Sequence, residues 1–144
     1  MCFHNAMSAK IKKLTKRYNL KTDIIEIAEE ILEETRRYHV NAFAHPECPV
    51  ITAGNQLRFE RWGLIPHWVK TSKDADQIQN MTLNARSETL FEKPSFRTPI
   101  RKTRCLIPST GYFEYHHEGK ETTPSFLFLK NEDLFSIGGI SDHW

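Results

Sequence analysis

Between Cys105 and Ile140 the chain falls into four short apolar runs, CLI at 105–107, GYFEY at 111–115, SFLFL at 125–129 and LFSIGGI at 134–140. Turn formers around Glu118 to Lys120 and Asn131 to Asp133 separate the later runs. Short apolar, aromatic-rich runs bounded by turns read as antiparallel strands. The same texture occurs earlier, where Pro49 to Thr52 and Leu57 to Trp62 flank Gly54 and Asn55, a pattern that predicts a hairpin. Two helical patterns precede it. Ile11, Leu14 and Tyr18 recur at spacings of three and four within Ser8 to Tyr18, with Lys10, Lys12, Lys13, Lys16 and Arg17 on the other face. After Asp23, a candidate N-cap, Ile24, Ile27, Ala28, Ile31 and Leu32 form an inward stripe beside an acidic outer face. These elements predict a single α+β domain over residues 1–144, with a curved antiparallel sheet or partial β-barrel and flanking helices. Because His143 and Trp144 directly follow a predicted strand, we expect further strands beyond Trp144, an open sheet edge, and self-association through it.

Composition narrows the function classes. Hydrophobic residues make up 39% and aromatics 11%, which is outside the range of chains that stay disordered. With 20 Lys and Arg against 18 Asp and Glu, the net charge is +2, so any affinity for nucleic acid must come from a local patch. No apolar run approaches the roughly 20 residues of a membrane-spanning helix. The first ten residues lack the charged and apolar regions of a secretory signal, which predicts a cytoplasmic protein.

The three cysteines, Cys2, Cys48 and Cys105, have long, unequal spacings that fit neither a disulfide framework nor a zinc site. No metal or other cofactor is expected. Cys48 and Cys105 lie in apolar stretches and read as small buried hydrophobes. Cys2 is different, because removal of Met1 would make it a 1,2-aminothiol. Its α-amine would have a pKa of about 7.7–8.0, leaving about a tenth of it uncharged and nucleophilic at pH 7. Toward an aldehyde such a pair condenses to an imine, and the adjacent sulfur then closes a five-membered thiazolidine ring.

Three more segments accompany the initial Met-Cys: WGLIPHW at 62–68, LNARSET at 83–89 and RCLIPSTGYFEY at 104–115. Together, in this order and spacing, they resemble the SRAP family, the SOS response-associated peptidases, whose members protect abasic sites in DNA through an N-terminal cysteine. The resemblance implies that Cys2 bonds to the ring-opened sugar aldehyde of an abasic site in single-stranded DNA. It implies that Asn84 orients the amine or the crosslinked sugar, and that Glu114 moves protons during imine formation. Arg86 would grip a phosphate and Trp68 would stack on a base or fill the gap left by the missing one. Lys93, Arg97, Arg101, Lys102 and Arg104 would line a DNA path or form a solvated face, and Trp62 reads as core. The protein would then be nucleoid-associated when bound to DNA.

The chain departs from the family pattern at three places. Phe3 and His4 stand where GlyArg usually follows the cysteine, and Tyr38 and His39 stand where many members have TyrAsn. The family's later histidine motif has no counterpart, since His143 lies in a different context. Three functional readings stay open here. The first is a DNA-damage protein that crosslinks to abasic sites through Cys2, with lyase-like chemistry. The second is a cysteine autopeptidase that uses the same thiol to remove Met1, and the third is a truncated, non-catalytic module that binds DNA or a partner.

Overall fold

The computed structural model describes residues 3–20 and 37–144, so Cys2 and the helix expected after Asp23 lie outside the described residues. Among the described residues, eight strands form two four-stranded antiparallel sheets. The first has the order β2 (Arg37–Asn41), β1 (His4–Met7), β6 (Gly111–Glu118) and β7 (Glu121–Leu127). The second has the order β4 (Gln56–Arg61), β3 (Glu47–Thr52), β5 (Arg104–Ser109) and β8 (Phe135–Ile140). Three described α-helices, α1 (Ile11–Tyr18), α2 (Ser72–Met81) and α3 (Pro99–Lys102), connect these strands. The fold is α+β as expected, and its strands divide between two sheets.

The local rules behave as the sequence implies. In α1, Ile11 and Leu14 are buried and Tyr18 packs against the same core, while the lysine face stays outward. Asn19 ends the helix in the left-handed conformation that Asn tolerates better than most residues. The hairpin pairs Glu47 with Arg61 through Thr52 with Gln56 around the turn at Gly54 and Asn55. Ile51 and Leu57 on this hairpin join Met7, Ala9, Leu14, Leu20 and Leu134 in one buried cluster, so α1 lies over the second sheet.

Between β5 and β6 the chain passes from one sheet to the other across a single residue. Strand β5 ends at Ser109 in one sheet and β6 begins at Gly111 in the other, with Thr110 between them. The Ser109 hydroxyl is fully buried and donates to the Asn5 side-chain oxygen at 2.6 Å, and it accepts from the Gly111 amide at 3.2 Å. Thr110 donates its amide to the Ala6 carbonyl at 2.9 Å. A side chain at Gly111 would overlap the Phe126 ring and lie 2.9 Å from the Leu127 carbonyl, so only glycine lets β7 close on β6 here. The STG of the fourth motif is therefore a structural corner that ties β1 to β6. Ser109→Ala leaves buried Asn5 without this partner and should cost about 1–3 kcal/mol. Urea denaturation measures it, and a loss below about 0.5 kcal/mol, the range of ordinary surface substitutions, would contradict the role of the corner.

Candidate active site

The described start of β1 lies between β2 and β6, and a cavity of about 330 Å³ opens beside it. Phe3, His4, Phe113, Glu114, Tyr115, His117 and Thr122 line it. Strand alternation puts Glu114 on the opposite face of β6 from Phe113. Both nevertheless line the cavity, together with Phe3 and His4 at the described start of the chain. Glu114 is half-buried and close enough to His4 for its charge to act on that ring. Cys2, the candidate nucleophile, lies outside the described residues. Its chain neighbours Phe3 and His4 both line the cavity.

The two unusual histidines meet. His39 Nε2 lies 2.9 Å from His4 Nδ1, a hydrogen bond whose donor depends on the tautomers. The edge of Tyr115 packs on His4 and that of Phe113 on His39, each with centroids 5.0 Å apart. Burial, and then repulsion from His39, hold the His4 imidazolium below the ordinary histidine value against a smaller upward pull from the Glu114 carboxylate. Sequence reasoning notes these histidines only as separate departures, because their contact depends on the register of β1 against β2. Two ionisable rings departing together were the available signal.

The second and third motifs are stitched to one another. Trp62 is half-buried and donates its indole N–H to the Leu83 carbonyl at 2.8 Å, and Thr82 donates its hydroxyl to the Leu64 carbonyl at 2.6 Å. Gly63 has φ 112°, and a side chain there would lie 2.8 Å from His45 Nδ1, so the glycine permits this crossing. The stitching fixes the residue before Asn84, whose own side chain is half-buried. Trp62 is thus a packing and hydrogen-bonding residue, as expected.

Trp68 is 49% exposed on a loop held from two sides. His67 donates its backbone N–H to Asp142 and its Nδ1 lies 2.9 Å from the same carboxylate, while Trp144 donates its indole N–H to the Val69 carbonyl at 2.7 Å. Burial alone would raise the Asp142 carboxyl. Hydrogen bonds from His67 and His143 outweigh it and hold that carboxyl below the usual value. Asp142 and Trp144 thus position Trp68, a role that sequence reasoning missed because it needs contacts across 75 residues. Arg86 is exposed at the start of the 3₁₀ turn 87–89. Lys93, Arg97, Arg101, Lys102 and Arg104 are also exposed, with Arg101 held over the Phe91 ring at 5.5 Å. Asn84, Arg86 and Trp68 are not among the residues lining the cavity, which brings together Glu114 and His4.

Among the described residues no cluster of three or more His, Cys, Asp or Glu is arranged to hold a metal ion, and no helix is long and apolar enough to cross a membrane. Cys48 and Cys105 are buried. Burial, with a contribution from the Glu60 carboxylate, pushes the Cys105 thiol up to about 11.

Comparison with known proteins gives consistent matches. The family described as SOS response associated peptidase (SRAP) matches residues 1–144. Abasic site processing protein YoqW of Bacillus subtilis (strain 168) is 37% identical over 113 residues, covering 74% of this chain and 49% of YoqW. Abasic site processing protein HMCES of Pongo abelii is 38% identical over 84 residues, covering 54% of this chain and 23% of HMCES. A crystal structure of a Bacteroides thetaiotaomicron protein superposes with TM-score 0.88 at 52% identity, over 96% of this chain and 59% of that one. The chain therefore spans about half the length of the YoqW relative it matches.

A thiol whose proton affinity is raised by burial stays protonated and unreactive well above neutral pH. Because both thiols are buried, and that of Cys105 is held protonated, iodoacetamide at pH 8 should leave Cys48 and Cys105 unmodified in the folded protein and alkylate both after unfolding in guanidinium. Mass mapping reads this, and rapid native labelling of either site would contradict their burial.

Proposed function

The chain belongs to the SRAP family, and from that premise we propose that it acts on abasic sites in single-stranded DNA, forming a covalent crosslink through Cys2. The observation that carries this reading is the cavity beside the chain start, where Glu114 and His4 meet next to the neighbours of Cys2. The names of the relatives YoqW and HMCES, both abasic site processing proteins, support the choice of target.

The chemistry starts after loss of Met1. The Cys2 amine attacks the aldehyde carbon of the ring-opened sugar, and the carbonyl electron pair moves to oxygen, which takes a proton. The resulting hydroxyl leaves as water when it is protonated, giving the imine, and the Cys2 sulfur adds to the imine carbon to close a thiazolidine. Glu114 serves the proton transfers, and Asn84 orients the amine or the sugar by hydrogen bonding. Outside the cavity, Arg86 contacts a phosphate and exposed Trp68 stacks on a base. In this reading the protein works in the cytoplasm and joins the nucleoid when bound to DNA.

The same thiol serves a peptidase reading in which Cys2 releases Met1, leaving the amine required for the ring. The reading also includes self-association, supported by β7 as the last strand of its sheet and by exposed Phe126, Leu127, Phe128 and Leu129 at its end.

Incubation with single-stranded DNA carrying one abasic site should give a band that survives denaturing electrophoresis. The band should be absent with undamaged DNA and with Cys2→Ala, and its presence in Cys2→Ala would overturn the assignment of the nucleophile. Glu114→Gln should slow crosslinking by ~10²–10⁴-fold while leaving DNA affinity largely intact. Equal losses in rate and affinity would remove the proton-transfer role. Arg86→Ala should weaken binding to all sequences alike and reduce the salt slope by about one. An unchanged slope would take Arg86 off the DNA path.

A further inference from the structure

We infer that His4 is the general base of the cavity, oriented by His39 and relaying the proton it receives to Glu114. The inference rests on the abasic-site reading above and adds two residues to its chemistry. His4 lines the cavity, its Nδ1 lies 2.9 Å from His39 Nε2, and Glu114 stands within electrostatic reach. With the proton of that contact on His4 Nδ1, His39 accepts it, and Nε2 becomes the basic nitrogen of the His4 ring. A base held in its tautomer by a second group is the arrangement that activates nucleophiles across unrelated enzymes. The packing of Tyr115 on His4 and Phe113 on His39 fixes both rings in place.

The groups facing His4 are His39 from β2, and Glu114 and Tyr115 from β6, with His117 of β6 lining the same cavity. Burial and the neighbouring imidazole disfavour the charged form of His4, so the ring stays neutral at physiological pH and is ready to accept.

The proton balance closes. As the Cys2 amine forms its bond to the aldehyde carbon, His4 takes the proton that the nitrogen loses. The imidazolium passes it to the Glu114 carboxylate. Glu114 delivers it to the alkoxide oxygen, giving the carbinolamine. A second proton, lost by the Cys2 thiol, reaches the hydroxyl by the same route. The C–O bond breaks as the nitrogen lone pair forms the C=N bond of an iminium, water departs, and the thiolate adds to the iminium carbon. His4 and Glu114 return to their starting forms, and no oxidant, reductant or metal takes part. His39 acts only through His4 and is a positioning residue.

Single-turnover crosslinking with abasic single-stranded DNA, measured from pH 5 to 9 alongside binding by fluorescence anisotropy, tests the inference. The wild-type rate should fall on the acid side as His4 takes up a proton, with a midpoint below the ordinary histidine value of about 6.5. His4→Asn should remove that limb and slow the neutral-pH rate by ~10²-fold, with affinity changed less than about twofold. His39→Asn keeps an acceptor for His4 and removes the second imidazole, so the limb should move to higher pH while the neutral-pH rate is largely kept. His39→Leu removes the acceptor as well and should slow the reaction about tenfold, a loss of roughly 1.4 kcal/mol in barrier terms. Circular dichroism and a cooperative melt establish that each variant is folded, and the Asn variant controls for any that is not. A limb that stays in place in both His4→Asn and His39→Asn, in protein that crosslinks normally, would overturn the role of the pair and leave the abasic-site reading standing. Absence of any crosslink in wild type would instead overturn that reading, and the base with it.

Discussion

The buried hydrogen bond between Ser109 and Asn5 is the contact on which the rest of the arrangement depends. It sits where the chain passes from one sheet to the other within a single residue, and it fastens that corner to β1. A buried hydroxyl and amide are costly unless paired, so the pairing selects one register of β1 against the corner. Thr110 repeats the attachment through the Ala6 carbonyl, and glycine at 111 lets β7 pack on β6 without obstruction. With β1 held so, Asn5 faces Tyr112 and Ala6 faces Gly111, which sets His4 alongside β6 next to Glu114 and Tyr115. Glu114 and His4 meet as a consequence of that register.

The chemistry of the cavity follows from unequal environments. In the proposed mechanism Glu114 and His4 share the cavity, both half-buried, and the His4 ring is held toward its neutral form by burial and by His39. Such a pair moves a proton within the site without a large change in net charge, which suits condensation of an amine with an aldehyde, where one proton must leave nitrogen and one must reach oxygen. The exposed elements serve a different purpose. Trp68 stays at the surface because Asp142 and Trp144 hold the residues on either side of it, and the basic side chains from Arg86 to Arg104 remain solvent-facing.

Much of this was legible in the sequence wherever one element could declare itself. The period of Ile11, Leu14 and Tyr18 marked α1, Gly54 and Asn55 marked the hairpin, and the apolar runs from Cys105 to Ile140 marked strands in that region. Strand β7 begins at Glu121, ahead of the SFLFL run, because the turn at Gly119 carries Glu121, Thr122 and Thr123 into pairing with Glu118, His117 and His116. Polar residues fill that ladder, so hydrophobicity did not report it. Strand β1 escaped for a related reason: His4 and Asn5 look like surface residues, and Asn5 is buried only because Ser109 is there to receive it. Helix α2 has a clear cap, since Thr71 accepts from the Asp74 amide, but it buries only Ala75 and Gln79, too few positions to show a period. At the site, motif context pointed to Glu114, whereas the contact between His4 and His39 exists only after β1 and β2 pair.

The central claim is that Cys2, whose chain neighbours line the cavity with Glu114, carries the reactive group. Peptide mapping of the adduct with abasic single-stranded DNA by tandem mass spectrometry tests it most directly. The account predicts a single modified peptide beginning at Cys2, with the sugar fragment attached through its amine and sulfur and the adduct lighter than the sum of its parts by one water. An adduct on a lysine, or on a chain that retains Met1, would contradict it.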